Sequence, residues 1–404
     1  MVEPADLGTS MIDLNLDLDA ARALTPGAAN GVFLDSAGAS LVPRPIVEEV
    51  IAHLRREEEV GGYRAGAERG DDLEAGYGVF ADLLGCEPDE IAFTDSSTRS
   101  YLAAFDALPL EPGDRLLATE AEYGGNAIPL LRRAQLAGAT VEPIPSTADG
   151  EVDVAALRGM LDERVKFVSL VHVPTNNGLV NPVEAVVEAA HEVGALVALD
   201  ACQSIGQLPL SLRGMGVDII SGSGRKWLRG PRGNGVLAVS RAARERLRPR
   251  LVDLHSGEWT GAAEFELRDD ARVFELWECG VAERLGFISA ARYALDLGVD
   301  AIAAEVADRA GRLRAGLAEI PGVQLRDQGK RQCGLVTFTV EGMAAAEVRD
   351  KLRGQDITVT VSGLPSTRYD MTRRGLSEIV RASPHYFISP DQIDTAVEAV
   401  AALR

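Results

Sequence analysis

Leu196–Gln203 reads LVALDACQ, an apolar run with no polar alternation that ends in Asp200. A strand that faces solvent on one side alternates apolar and polar residues; one covered on both faces does not, and such strands belong to parallel sheets sandwiched between helices. Phe167–Val173 (FVSLVHV) repeats the pattern upstream. A carboxylate closing such a strand faces the crevice at the carboxyl ends of the sheet, where α/β folds hold ligands. By itself Asp200 reads equally well as a helix N-cap or a turn residue.

Outward from this run, strand candidates recur at Glu90–Thr94, Arg115–Ala118, Thr140–Ile144, Phe167–His172, Leu196–Asp200, Ile219–Ser221 and Gly235–Val239. Helical segments lie between them, at Asp72–Leu84, Ser100–Ala107, Asn126–Ala137 and Val183–Val193. Strand and helix in alternation require crossover connections, hence an α/β domain with a mostly parallel seven-stranded sheet. After Arg241 the pattern changes. Val281–Leu317 reads as one long helical region, followed by Gly334–Val340, Ala344–Arg353, Ile357–Ser362, Ile379–Arg381 and Pro390–Leu403, a smaller C-terminal α+β unit. The expected division is a large domain over residues 30–265 and a small domain built from residues 1–29 and 266–404.

The 404 residues exceed what a single core usually serves, and the 46% hydrophobic content excludes bulk disorder. With 41 basic against 61 acidic side chains the net charge is −20, which argues against nucleic acid and against an anionic membrane surface as partners. No run approaches the roughly 20 apolar residues of a spanning helix. The acidic N-terminus does not read as a signal peptide. Four scattered cysteines (Cys86, Cys202, Cys279, Cys333) form no C-x-x-C pair, so neither a metal site nor a disulfide framework is expected, and the cytoplasm is the expected compartment.

Ser221–Gly235 reads SGSGRKWLRGPRGNG. Lys226 follows a short strand inside a run of small residues that let a ligand approach the backbone, with Ser hydroxyls available to a phosphate. Partial desolvation and the cationic neighbours Arg225, Arg229 and Arg232 would lower the pKa of its amine, which suits Schiff-base chemistry. A solvated loop lysine fits this segment alone as well. Paired with Asp200 upstream, a carboxylate able to keep a pyridine nitrogen protonated, it fits pyridoxal 5′-phosphate (PLP) chemistry.

In DACQ, SGSGRKWLRGPRGNG and VRASPHYF the chain resembles the fold-type I PLP enzymes. Within them it is similar to the class V aminotransferase group of cysteine desulfurases, isopenicillin-N epimerase-like proteins and C–S lyases. The resemblance runs from about Phe33 to the C-terminus. It implies Lys226 as the Schiff-base lysine, Asp200 as the ring-nitrogen partner and Gln203 against the phenolic oxygen. Ser223, with Ser97 and Thr98 in FTDSSTRSYLAAF, would meet the phosphate. Tyr123, in ATEAEYGGN, stands where the family usually stacks a histidine on the ring. Arg381 matches the arginine that forks onto a substrate α-carboxylate, with Asn177 and Thr175 of VHVPTNNG on the loop facing the cofactor; desulfurases usually have Asn at the position of Thr175. A homodimer acting on a small amino acid is also implied.

These residues bind cofactor and amino acid without selecting the reaction. Desulfurases use a cysteine on a small-domain loop to take up sulfur, and the corresponding Thr358–Val380 contains none. Val60–Gly66 (VGGYRAG) and Phe33–Ser40 (FLDSAGAS) resemble a C–S lyase of ergothioneine biosynthesis, which would put Tyr63 and Arg64 in the substrate site; a polar surface loop is the alternative. Cys279 and Glu278 stand where dimeric relatives reach a hydroxyl residue into the partner's phosphate site. The expectation is β-elimination from an S-substituted cysteine. An epimerase, transaminase or oxidative deaminase on the same scaffold is the alternative.

Overall fold

The computed structural model describes residues 17–403. A seven-stranded sheet forms its centre, in the spatial order Ile91–Thr94, Gly235–Val239, Ile219–Ser223, Leu196–Asp200, Val165–Val171, Arg115–Thr119, Thr140–Ile144. Gly235–Val239 runs antiparallel to both its neighbours and the other pairings are parallel. Leu196–Asp200 and Gly235–Val239 are buried at every position, as their unbroken apolar runs require. Helices Ser97–Asp106, Gly124–Ala137 and Val183–His191 cover the sheet. Registers Asp200↔Ser221 and Ser223↔Gly235 set the ends of three adjoining strands side by side. That edge carries Asp200, Ser223 and, just beyond, Lys226.

A second sheet is antiparallel, in the order Val323–Leu325, Val336–Val340, Glu378–Ala382, Thr360–Gly363. Helices Val299–Ala318, Ala345–Arg353 and Pro390–Ala401 accompany it, and Leu313, Leu317, Phe338, Leu352 and Val400 are buried there. The expected single helix Val281–Leu317 is two helices, Val281–Leu297 and Val299–Ala318, parted at Gly298. Its φ of +82° stops the first helix, a conformation only glycine adopts without strain.

The two units do not part where the composition shifts. Ala271, Val273 and Phe274 are buried with Leu196 and Ile219 of the large sheet. Phe287 packs 4.4 Å from Phe80, centroid to centroid, so the chain beyond residue 266 stays with the large unit through that helix. At the other end, Val32–Phe33 pairs in parallel with Ile357–Thr358 and Asp35 bridges to Ser383, extending the N-terminal part of the small unit past residue 29. Residues 1–16 lie outside the described residues.

Helices Arg44–Val60 and Gly62–Glu68 and the hairpin Gly257–Gly261/Glu264–Leu267 were not evident from sequence patterning. Arg44–Val60 is so rich in Glu and Arg that only Ile46 and His53 are fully buried along it. The hairpin is exposed along most of its length and offers no buried face to read. No helix among the described residues is long and apolar enough to cross a membrane.

Candidate active site

Lys226 follows the end of strand Ile219–Ser223 and is half-buried. Burial pushes its amine pKa down, against the attraction of Cys202 and Asp200, and among the described residues no hydrogen bond or ion pair engages Nζ. It lines a small cleft of about 280 Å³ with Tyr123, Val171, Val173, Thr175, Asp200, Cys202 and Gln203. An amine whose charged form is disfavoured in this way is a better nucleophile and base than a solvated one.

Asp200 closes its strand at 6% exposure, where Oδ1 accepts from the Cys202 backbone N–H at 2.8 Å and Oδ2 from Asn126 Nδ2 at 2.8 Å. Gln203 is held at both ends: Nε2 donates to the Ala37 carbonyl (3.0 Å) and Oε1 accepts from Trp227 Nε1 (2.8 Å). Thr175 Oγ1 lies 3.4 Å from Gln203 Nε2 and accepts from Arg381 Nη1 at 2.6 Å.

Arg381 is buried, its pKa lowered chiefly by desolvation, and its Nε has no partner. Its second fork nitrogen lies 3.5 Å from Asp35 Oδ1, and burial raises the Asp35 pKa despite that neighbour. A guanidinium with one spare donor beside the lysine is a receptor for a carboxylate.

Ser96 caps helix Ser97–Asp106, accepting from Arg99 N–H at 3.3 Å. Ser97 and Thr98 occupy the first turn, where backbone N–H groups lack intrahelical acceptors and favour an anion. Ser97 is buried and its Oγ lies 2.8 Å from Cys202 Sγ; Thr98 is exposed. Ser223 is 7% exposed on the adjoining strand, whose partner residue Gly235 packs against the Ser96 backbone. An amine, a carboxylate and an anion-binding helix start converge here. This donor set fits a phosphorylated pyridine aldehyde: Asp200 would meet the ring nitrogen, Gln203 the phenolic oxygen, and the Ser97–Thr98 turn and Ser223 the phosphate.

Asn177 is fully buried with both polar side-chain atoms unpaired, and it is not among the residues lining the cleft. Tyr63 is 89% exposed on its own short helix, and Arg64 pairs with Glu68 at 3.1 Å; the structure does not bring them to Lys226. Glu278 and Cys279 line a second, wider cleft of about 770 Å³ with Asp95, Arg99, Asn234 and Arg284. Three site residues escaped the sequence reading: Glu122, Asn126 and Asp35. The first two flank Tyr123 at i and i+4 within ATEAEYGGN, and that spacing was the available signal.

The class V aminotransferase profile matches residues 32–395. The chain belongs to the class V aminotransferase family. It is a PLP-dependent enzyme of the fold-type I architecture. It is 31% identical to a probable cysteine desulfurase of Mycobacterium leprae, over 95% of this chain and 96% of that protein. It is also 31% identical to a probable hercynylcysteine sulfoxide lyase of Mycobacterium tuberculosis, over 94% and 92%. Among solved structures, a cysteine desulfurase of Thermococcus onnurineus superposes with a TM-score of 0.88 at 24% identity, over 95% of this chain and 97% of that one. A cystine C–S lyase bound to its product cysteine persulfide superposes with a TM-score of 0.84 at 23% identity, over 93% and 99%.

Proposed function

We propose that the chain is a C–S lyase that cleaves an S-substituted cysteine by β-elimination, releasing pyruvate, ammonia and a thiol or sulfenate. The likeness to both a desulfurase and a sulfoxide lyase leaves the fate of sulfur to the chain's own residues. The observation that carries the reading is the state of its thiols around Lys226. Among the thiols of the described residues only Cys202 lines the cleft; it is half-buried, its Sγ hydrogen-bonds Ser97 Oγ at 2.8 Å, and its pKa is pushed up to about 12 by desolvation and by Asp200. A thiol in that state is a poor sulfur acceptor.

The small-unit segment that would carry an acceptor cysteine has none, and it is tied down. Thr367 Oγ1 accepts from Asn176 Nδ2 at 2.9 Å, Asp370 N–H donates to the Glu120 carbonyl at 3.1 Å, and Arg373 pairs with Glu120 at 3.1 Å. Arg374 binds Asp370 at 3.0 Å, so two of the three arginines in this loop are already committed to protein carboxylates.

Bound PLP supplies the electron sink that lets an amino acid lose its Cα proton. Arg381 and Thr175 orient the substrate α-carboxylate beside the lysine. The Lys226 amine takes the Cα proton. The pair from the Cα–H bond becomes the Cα=Cβ bond, and the Cβ–S pair leaves with sulfur. Burial of Asp200 and of Arg381 beside the lysine limits the water that could compete for that proton.

A second copy of the chain is the partner the surface fits best. Val47, Ile51 and Leu54 form an exposed stripe along one helix, and Trp259, Phe265 and Trp277 are more than half exposed. Light scattering giving a monomer mass would remove this partner.

The test of the reaction is to incubate purified protein and PLP with S-substituted cysteines, their sulfoxides and free cysteine, and to measure pyruvate, alanine and protein-bound sulfur. Stoichiometric pyruvate with no protein-bound sulfur is expected. Alanine with persulfide on the protein would overturn the lyase reading in favour of desulfuration.

A further inference from the structure

Beneath the cleft floor lies a polar cluster that the reaction above does not use. Glu122 is 2% exposed and Asn126 is 5% exposed. Asn126 Nδ2 lies 2.8 Å from Asp200 Oδ2 and 3.0 Å from Glu122 Oε1. An amide nitrogen has two hydrogens, so one group donates to both carboxylates at once. Glu122 Oε1 also accepts from the Tyr123 backbone N–H at 2.9 Å, while its Oε2 is buried without a partner.

We propose that Glu122 and Asn126 are positioning residues for Asp200: Glu122 is held as the neutral acid, its proton on Oε2, and anchors the Asn126 amide that fixes Asp200 beneath the cofactor ring. This rests on Asp200 being the ring-nitrogen partner.

The geometry argues for each part. Two buried carboxylates bridged by one amide do not both hold a charge without a cation, and among the described residues no lysine, arginine or histidine pairs with Glu122. The groups facing it are Asp200 from its strand, Tyr101 from helix Ser97–Asp106, Ser169 from strand Val165–Val171 and Asn126 on the adjoining helix. The only charge among them is that of Asp200. Burial and then Asp200 push the Glu122 pKa up to about 8, in the same direction. Of the two carboxylates, only Asp200 lines the cleft, so the single negative charge of the pair sits where a protonated ring nitrogen would meet it. Asn126 blocks rotation of Asp200 by occupying Oδ2 while the Cys202 N–H occupies Oδ1.

The test uses the full chain, stripped of cofactor and titrated with PLP by absorbance and by quenching of intrinsic fluorescence, for wild type, Glu122→Gln and Asn126→Ala. Glutamine reproduces a neutral acid in shape, its oxygen accepting where Oε1 does. The expected result is that Glu122→Gln binds PLP within about twofold of wild type, and the pH dependence of its visible band lacks the step near pH 8. Asn126→Ala is expected to weaken PLP by about tenfold or more, the loss of one hydrogen bond to a charged group. If Glu122→Gln weakens PLP as much as Asn126→Ala, or if Asn126→Ala changes neither affinity nor spectrum, the inference is wrong. A wild type that gives no visible band with PLP overturns the cofactor reading itself. Should Asn126→Ala not fold, the isosteric Glu122→Gln still decides the matter.

Discussion

Thr175 Oγ1 accepts from Arg381 Nη1 at 2.6 Å and lies 3.4 Å from Gln203 Nε2, so one hydroxyl joins the candidate carboxylate receptor to the candidate cofactor wall. Arg381 comes from the small sheet and Thr175 from a loop of the large one, and the contact is therefore also a strut between the two units. Thr175→Val keeps the shape and removes the acceptor. A hydrogen bond to a charged group is worth about 1.5–3 kcal/mol, which gives a KM for the amino acid raised roughly ten- to hundredfold, with PLP affinity unchanged. Steady-state kinetics and a PLP titration on the same preparation check this. A fall in PLP affinity with KM unmoved would assign Thr175 to the cofactor and not to the substrate.

Lys226 bears on stability as well as chemistry. Its folded pKa lies below the ordinary lysine value because it is desolvated. The unfolded chain therefore binds the extra proton first, and stability rises with pH through the folded pKa up to the unfolded one. At neutral pH the desolvated lysine is a net cost to the cofactor-free fold. Lys226→Met should raise the apo Tm, by more at acidic than at alkaline pH, while abolishing the visible band formed with PLP and all turnover. Differential scanning calorimetry across pH reads the first effect. An apo Tm that falls on substitution would mean the amine has a stabilising partner.

Glu122 has the opposite ionisation and its own sign. Its folded pKa is about 8 against an ordinary 4.5, so the folded chain holds the proton that the unfolded chain has lost. Stability falls as pH rises from the unfolded pKa through the folded one, and the cost is constant above that. Glu122→Gln should have an apo Tm close to wild type near pH 4.5 and progressively above it up to about pH 8. Parallel Tm–pH curves for the two proteins would show that Glu122 is not the group that titrates.

Cys202 separates the two readings of sulfur chemistry. A half-buried thiol whose pKa is pushed up to about 12 reacts slowly with alkylating reagents in the native fold. Cys202→Ser should retain most pyruvate release, because the hydroxyl can still meet Ser97. Rapid carbamidomethylation of native Cys202 at neutral pH, or loss of turnover in the variant, would restore a sulfur-carrying role.

Much of this was legible in the chain. The strands of the large sheet could be read because parallel strands buried on both faces leave continuous apolar runs, and Asp200 and Lys226 because they close or follow such runs. The start of helix Ser97–Asp106 was read three residues late because Ser96, Ser97 and Thr98 are equally good cap residues and leave the first turn without an apolar signal. Asp35, Glu122 and Asn126 were silent for a different reason. Each owes its role to a partner 346, 74 or 4 positions away in the chain, and only the last of these separations has a local signature. Tyr63 and Arg64 illustrate the converse: GGYRAG looks like a ligand loop, yet it forms a short exposed helix with Arg64 turned to Glu68.

Gly124 offers the sharpest test of how the small unit covers the cleft. It opens helix Gly124–Ala137 directly after Tyr123, and a Cβ there would stand 2.5 Å from the Pro365 carbonyl oxygen. That oxygen belongs to backbone, so it moves only if the segment Leu364–Ser366 moves with it. Helix propensity alone favours alanine over glycine by roughly 0.5–1 kcal/mol, whereas overpacking against backbone costs about 1–3 kcal/mol. The second effect wins, so Gly124→Ala should lower Tm by a few degrees and raise the KM for the amino acid several-fold. PLP affinity should stay put, because no residue of Leu364–Ser366 lines the cleft that holds Asp200 and Lys226. A variant with unchanged KM and a raised Tm would mean that Leu364–Ser366 is free to lift without consequence, and that the segment does not close the substrate side of the cleft.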